Sequence, residues 1–462
     1  MSKTSTLSIS QHIDRNFRNY ALYVLEHRGI PSFDDALTNV QRFILMNTST
    51  QFQKTIAVVG SCISDGYHHG DASLVGAINK LARPYGNSLS LLEGDGFFGS
   101  SVDGTASAAR YTSVKIHPKV SEIIKKNHFL NAKNDNDGWN PLWLDAPIGL
   151  TTMIVGIGVG YKTTILPRKL EDIQKYLEGK IKEVKPHFQG FSGKVNRHQG
   201  LDRSWLISGC VETQEKNKTI KILDLPPLMK YTHFLKKLQQ IMGAFPNSSW
   251  VNQSSEKVEI LIQHKGSVAE WEELKMRVNK ATQLVVTEIL VFVKNGAVIN
   301  YNRVEDYLDD YQYRIAHLRL AKIMYQIRVD TEELEYQRCK KEYLKFMLDC
   351  TTWRPQAEID AYLQKITNKE PIRKRLNNIP LRAMSQDEYH KIGQTILGLE
   401  QGLGQLEILR QQAEQIVHQS TDPTLSKSSI NSKNLFQSLL TVEDPEEIDG
   451  VEYFNLDEEF DL

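Results

Sequence analysis

The chain has no apolar run near the ~18–20 residues a membrane-spanning helix needs, so no bilayer partner is expected. Met1–Ser10 is rich in Ser and Thr and lacks the apolar stretch of a signal peptide. Cysteine is scarce: Cys62, Cys210, Cys339 and Cys350 are scattered with no CxxC spacing. That excludes a disulfide scaffold and a structural zinc site, and it points to reduced thiols in a cytoplasmic setting. A Gly-x-x-x-x-Gly-Lys phosphate loop is missing, so the chain is not expected to hold a nucleotide by itself. Carboxylate pairs suited to a metal are equally thin. Asp135-x-Asp137 sits in a polar stretch and Asp309-Asp310 in a helical one. The loop Asn131–Asn140 has the look of a calcium loop, but Lys133 stands where the first ligand belongs.

Net charge is absent too, with 56 basic and 56 acidic side chains, yet the balance is uneven along the chain. Residues 1–300 hold 36 Lys and Arg against 27 Asp and Glu, residues 301–420 hold 18 of each, and residues 421–462 hold 2 against 11. A basic front suits a phosphate-backbone partner; it also fits a moderately basic surface without one. At 462 residues the chain is too long for one core, and two to four domains are expected.

Over residues 12–28, Ile13, Phe17, Tyr20, Val24 and Leu25 recur at helical spacing. Val40–Met46, Lys54–Cys62 and Asp71–Leu81 read as short helices, the last with Asp71 as its N-cap. Two short apolar runs around a glycine loop within 89–116 suit strands. From 141 to 300, β-type runs (Thr152–Val159, Trp205–Val211, Val258–His264, Gln283–Val293) alternate with helical stretches at Leu170–Val184 and His233–Gly243, the pattern of an α+β unit. Lys169, Lys175, Lys180, Lys182 and Lys185 would share a basic helix face, either solvated or turned to DNA. Residues 303–349 and 384–418 are long amphipathic helices, joined by the compact Trp353–Pro380. Ser420–Ser432 reads as a linker, and Asp444–Leu462 is acidic with interleaved aromatics.

Three blocks carry the chemistry. They are Tyr67-His68-His69-Gly70, then Gly94-Asp95-Gly96-Phe97-Phe98-Gly99-Ser100, then a small-residue run ending Arg110-Tyr111. Tyrosine is a poor nucleophile at neutral pH, with an ordinary pKa of about 10. A tyrosine beside a fixed cation, with histidines and an ordered glycine loop upstream, is a candidate activated phenol. A lone Arg-Tyr pair is usually a surface dipeptide; the order and spacing of the blocks single this one out.

Together the blocks resemble the breakage-reunion subunit of type IIA DNA topoisomerases, most like the medium-subunit branch of T-even-like phages. That family pattern reads Tyr-His-(Pro)-His-Gly, Gly-Gln-Gly-Asn-Phe-Gly-Ser, then Arg-Tyr. Here the proline is missing, and Asp95 and Phe97 replace Gln and Asn. Arg28-Gly29-Ile30-Pro31 is similar to the family's Arg-Ala-Ile/Leu-Pro, and Asp35…Val40-Gln41-Arg42 to its Asp-Gly-Leu-Lys-Pro-Val-Gln-Arg. Lys54…Ala57…Val59-Gly60 follows, and Gly156-Ile157-Gly158-Val159-Gly160…Ile165-Leu166-Pro167 resembles Gly-Ile-Ala-Val-Gly…Ile-Pro-Pro. Ala36, Thr38 and Asn39 depart from Gly, Lys and Pro, and the lost lysine removes one expected phosphate contact.

The resemblance implies an α+β multidomain fold. Residues 1–30 would be an N-terminal arm on a partner subunit, 31–150 a winged-helix DNA-cleavage domain, and 151–302 an α/β tower. Residues 303–420 would be a coiled-coil arm with a dimerisation tip, and 421–462 an acidic flexible tail. Tyr111 would be the nucleophile, with Arg110, His69, His68 and Arg28 around it. Arg42, Gln41 and Lys54 would hold DNA backbone, and Ile157 would wedge between base pairs. The implied enzyme is an ATP-dependent type II topoisomerase that relaxes and decatenates. It would be a heterotetramer whose large subunit holds Mg²⁺ and ATP, while this chain homodimerises through its C-terminal gate on double-stranded DNA. The alternative is a non-catalytic architectural DNA-binding protein of the same fold. A coiled-coil scaffold without nucleic acid is a third reading, separated by its lack of salt-dependent DNA affinity.

Overall fold

The computed structural model describes residues 9–131, 133–134, 138–198, 202–294, 296–349, 354–380 and 384–421. Asp135-x-Asp137, Cys350 and the acidic tail lie outside them. The chain divides into two compact units at Gln312/Tyr313.

The first unit opens with α1 (Ile9–Val24), which runs into a wider π-helical turn, Leu25–Gly29. Ile9, Ile13, Phe17 and Tyr20 form an exposed stripe along α1. Next come α2 (Asn39–Met46), β1 (Gln53–Lys54), α3 (Thr55–Ser64), α4 (Asp71–Ala82), β2 (Leu92–Asp95) and β3 (Ser113–Ile116). The three strands form one antiparallel sheet in the order β1-β3-β2. Phe43, Ile44, Val58, Leu74, Ile78 and Val114 meet in one core beneath helices and sheet, the arrangement of a winged helix. Asp71 is not the N-cap of α4. Gly70 takes that place, and Asp71 opens the helix with its own Oδ1 accepting the Ala72 N–H.

A buried ion pair ties this domain together. The Asp35 carboxylate, fully buried, accepts Arg42 Nε at 2.6 Å and Nη2 at 3.0 Å, the Leu37 N–H at 2.9 Å and the Leu142 N–H at 2.9 Å. Its backbone carbonyl accepts the Gly149 N–H. One carboxylate therefore pins three stretches of chain, and every lone pair it buries has a donor.

Beyond it lie α5 (Pro118–Lys126), the short pair β4 (Lys133–Asn134) and β5 (Gly138–Trp139), and a hairpin of β6 (Ile154–Gly158) and β7 (Tyr161–Ile165). The helix α6 (Leu170–Leu177) is shorter than its periodicity predicts. Gly179 at φ 73° turns the chain, and the Lys180 N–H closes on the Lys175 carbonyl. Lys180, Lys182 and Lys185 thus leave the helix, and the expected basic helix face does not form.

The tower holds β8 (Lys194–Arg197), β9 (Ser204–Ser208), β10 (Cys210–Gln214), β11 (Thr219–Asp224), α7 (Tyr231–Gly243), β12 (Ser248–Asn252), β13 (Ile260–His264), α8 (Val268–Ala281) and β14 (Gln283–Thr287). One sheet runs β14-β9-β8 and another β10-β11-β13-β12, with α7 and α8 packed on the second through Phe234, Leu238, Trp271 and Leu274. Two runs that read as single strands are each split. Trp205–Val211 changes sheet at Gly209, where a Cβ would overlap the Asp224 carbonyl. Gln283–Val293 breaks at Glu288, which turns inward. Its carboxylate takes both Arg168 Nη atoms and Trp205 Nε1 in a second buried ion pair. The chain then forms the hairpin β15 (Leu290–Lys294) and β16 (Ala297–Tyr301).

The helix α9 (Val304–Leu348) begins in the first unit and continues in the second, which adds α10 (Gln356–Ile366), α11 (Glu370–Asn377) and α12 (Gln386–Thr421). Tyr336, Tyr343, Ile359, Leu363 and Leu376 form the core of the small globule between the long helices. Phe346 and Tyr362 stack at 3.9 Å, with Arg354 over the Phe346 ring. Lys340–Glu388 and Arg338–Glu400 join α9 to α12. Among the described residues no helix is long and apolar enough to cross a membrane.

Two outcomes follow from the burial pattern. Arg42→Met strands the Asp35 charge and should cost about 3–5 kcal/mol, read from urea unfolding; a loss below about 1 kcal/mol would mean that the pair carries little. The Cys62 thiol is fully buried against the Phe43 carbonyl, and burial, with Asp65 nearby, pushes its pKa up to about 12. Maleimide at pH 8 should therefore label half-buried Cys210 and spare Cys62 in the folded protein. Equal labelling rates would contradict this.

Candidate active site

Tyr111 stands in a turn two residues before β3, with its backbone held on both sides. The Tyr111 N–H bonds to the Ala108 carbonyl at 2.8 Å. Its neighbour Thr112 is fully buried and meets Thr55 twice, hydroxyl to hydroxyl at 2.7 Å and carbonyl to N–H at 3.0 Å. The N-terminus of α3 is thereby fastened to the residue after the tyrosine. The side chain of Tyr111 is 66% exposed. The Arg110 guanidinium lies over its ring at 4.7 Å, and Tyr111 Oη has no hydrogen-bond partner among the described residues.

The glycine loop abuts the same strand. Gly94 pairs with Val114 and Asp95 with Ser113. Gly96 adopts φ 106°, and a Cβ there would press on Thr112 at 3.2 Å. Gly94 is covered by the Phe98 ring, which a Cβ would overlap. Beyond them, Ser100 Oγ accepts the N–H groups of Val102 and Asp103. Thr105 donates its N–H to the Asp103 carboxylate, and with its hydroxyl holds that carboxyl below the usual range. At Gly94 and Gly96 a side chain would collide with Phe98 or Thr112, so glycine lets the loop lie against the strand that follows Tyr111. The substituted Asp95 and Phe97 both stay exposed on it.

The first block is held by its own contacts. Tyr67 is buried against Phe43 and hydrogen-bonds Ser73, which anchors the histidines that follow. His69 packs edge-on to Tyr67, and its Nδ1 lies 3.2 Å from Arg28 Nη2. Arginine only donates, so His69 Nδ1 accepts and Nε2 carries the ring proton. Arg28 and His69, 41 residues apart in the chain, are brought together. His68 points outward and is exposed. No hydrogen bond or ring contact joins Tyr111 to Arg28 or His69 among the described residues.

Next to Arg28, the backbones of Gly29 and Gly156 touch: a Cβ on Gly156 would overlap the Gly29 carbonyl. This contact seats the hairpin β6–β7 beside the Arg28–His69 pair. Ile157 on that hairpin is 74% exposed, and Val155 on the same face is 60% exposed. The expected backbone-binding residues separate. Lys54 is exposed and pairs across the sheet with Ser113, two residues beyond Tyr111. Gln41 instead spends Oε1 on the Thr38 N–H at the start of α2. Arg42 is a correction: it is 5% exposed and its guanidinium is committed to Asp35 and the Leu37 carbonyl. Desolvation and three bonds leave it no face for a phosphate. Neither the Gly29–Gly156 crossing nor the cation Lys162 opposite Ile157 was legible beforehand; both need the register of the hairpin.

The structure thus presents an exposed phenol with a cation on its ring, an arginine–histidine pair, and an exposed apolar hairpin beside that pair. Known proteins resemble the chain in sequence and fold. The chain is 24% identical over 413 residues to the DNA topoisomerase medium subunit of Enterobacteria phage T4, covering 83% of this chain and 91% of that one. It is 30% identical over 186 residues to the DNA gyrase A subunit of Neisseria gonorrhoeae, covering 37% of this chain but only 20% of the gyrase protein. The solved DNA-binding, cleavage and re-ligation domain of Plasmodium falciparum topoisomerase II superposes with a TM-score of 0.72 at 18% identity, over 94% of this chain and 66% of that one. The family model for the A subunits of DNA gyrase and topoisomerase IV matches residues 28–422. Since that model spans most of its length, the chain belongs to the family of DNA gyrase/topoisomerase IV A subunits.

Proposed function

We propose that this chain is the DNA-cleaving and rejoining subunit of an ATP-dependent type II DNA topoisomerase, with Tyr111 as its nucleophile. The observation that carries the reading is the exposed Tyr111 under Arg110, held at its root by Thr112–Thr55. The phenolate oxygen attacks phosphorus, the bond to the 3′ oxygen breaks, and the departing 3′ hydroxyl takes up a proton. The strand stays attached through its 5′ phosphate. Rejoining is the reverse, and the phosphotyrosyl bond conserves the energy, so this step consumes no ATP. Arg110 is placed to offset charge on the non-bridging oxygens, where one preorganised donor is worth about 2.7–4 kcal/mol. The Arg28–His69 pair offers a second cation and an Nε2–H donor to a phosphate.

Mg²⁺ and ATP are assigned to the large partner subunit. The exposed stripe of α1 is the surface offered to that partner, and the globule between α9 and α12 is the surface for a second copy. Ile157 unstacks one base step and kinks the gate duplex, on which another duplex crosses for relaxation and decatenation.

Covalent trapping tests the nucleophile. With the partner subunit, Mg²⁺ and supercoiled plasmid, detergent denaturation should leave this chain on 5′ DNA ends. Tyr111→Phe should abolish the adduct, and Arg110→Ala should slow its formation about 10²–10³-fold. Persistence of the adduct in Tyr111→Phe would remove the tyrosine from the mechanism; no adduct in the parent, beside active ATP hydrolysis, would favour the silent architectural reading. Energy transfer between dyes at the ends of a bound duplex tests the wedge. Ile157→Ala should straighten the DNA, and an unchanged bend would refute that role.

A further inference from the structure

We infer that Lys162 is a positioning residue that clamps a DNA phosphate beside the step opened by Ile157. The inference rests on the wedge reading of Ile157. In the hairpin β6–β7 Ile157 pairs directly with Lys162, and Val155 with Thr164. Directly paired residues point to the same face with Cβ atoms about 4.5–5.5 Å apart. Lys162 therefore rises from the sheet beside Ile157. It is exposed and makes no ion pair among the described residues. Some other exposed lysines of this region do have a carboxylate beside them, as Lys180 has Glu178 and Lys185 has Glu183.

The hairpin is built to resist the reaction force of a wedge. Its turn is two residues long, with Val159 at φ 42° and Gly160 at φ 81°. Both signs are positive, which matches the right-handed twist of the strands and fixes the register. Gly29 backs the Ile157 strand through backbone contact, and Thr164 and Ile289 exchange both backbone hydrogen bonds behind β7. An apolar side chain entering a base step unstacks it and bends the helix axis, which crowds the phosphates on the compressed side. A cation on a flexible four-carbon stem beside the wedge offsets that crowding where it arises. Ile157 and Lys162 would then act as one device, the first opening the step and the second holding the backbone around it.

The test is a cycle of single and double variants in the assembled enzyme, with duplex affinity and end-to-end energy transfer as readouts. Lys162→Gln should weaken binding roughly threefold at ~0.15 M salt, and the slope of log affinity against log salt should fall by about one. In the Ile157→Ala background the same change should have little effect, since the unbent duplex no longer brings a phosphate to Lys162. Lys162→Arg should restore both bend and slope. Equal losses in the two backgrounds, with Ile157→Ala straightening the DNA, would overturn the clamp and leave the wedge standing. A duplex bent as before in Ile157→Ala would overturn both.

Discussion

A carboxylate without solvent, Asp35, sets the frame on which the candidate site rests. It is fully buried, and four donors converge on its two oxygens. Those donors come from α2, from the turn before it and from the segment leading to β6. A buried charge of this kind is poor evidence for stability in itself, because desolvation offsets most of the attraction. Its value here is geometric. Asp35 follows Gly29 by six residues, and its carbonyl holds Gly149, seven residues before Gly156, so the two strands of chain that cross at Gly29–Gly156 are also fastened nearby. The tightness extends to Ala36, held at φ 56°, while a Cβ on the opposing Gly149 would overlap the Ala36 carbonyl. The resemblance implies glycine where Ala36 stands, and the positive φ explains why. Alanine there carries strain of about 1–2 kcal/mol, which the surrounding bonds oppose.

The second buried pair, Arg168–Glu288, has the corresponding task in the tower. Trp205 Nε1 and the Leu166 N–H complete the Glu288 shell. Glu288 is the point where one apolar run becomes two strands in different sheets. A polar residue there breaks the strand because its partners lie 120 and 83 residues away, not because of any local turn signal.

What could be read from the sequence divides along the same line. The helices α9 and α12 were legible because their apolar period runs unbroken over many turns. The wing strands were legible because glycines bounded them, and the three motif blocks because spacing survives drift. The end of α6 was missed because Gly179 overrides a helical period that continues through Val184. The DNA-backbone role of Arg42 came from the resemblance alone; inside α2 its guanidinium turns to Asp35, and only the burial of that carboxylate reveals its use. Gln41 was likewise drawn inward, to cap α2. Helical and strand periods were visible, whereas the uses of single side chains, even against partners three to seven residues away, depend on burial that the sequence does not show.

On the proposed reading, the chain offers its chemistry in two separate halves. Tyr111 and Arg110 stand beside the wing sheet with the phenol oxygen unengaged among the described residues, while Arg28 and His69 pair with each other. Neither half completes a phosphoryl-transfer site, since a displacement needs nucleophile, cation and leaving-group donor around one phosphorus. The rigidity differs in the same way. Tyr111 is fixed at its backbone and free at its tip, which suits a nucleophile that must form and release a covalent bond without moving its strand. Arg28 and His69 constrain each other, so their donors are set before DNA arrives. A nucleophile held this way gains its reactivity from what is brought to it. The break in the duplex is then governed by assembly of the partner surfaces on bent DNA, and the chain by itself is poised without being competent.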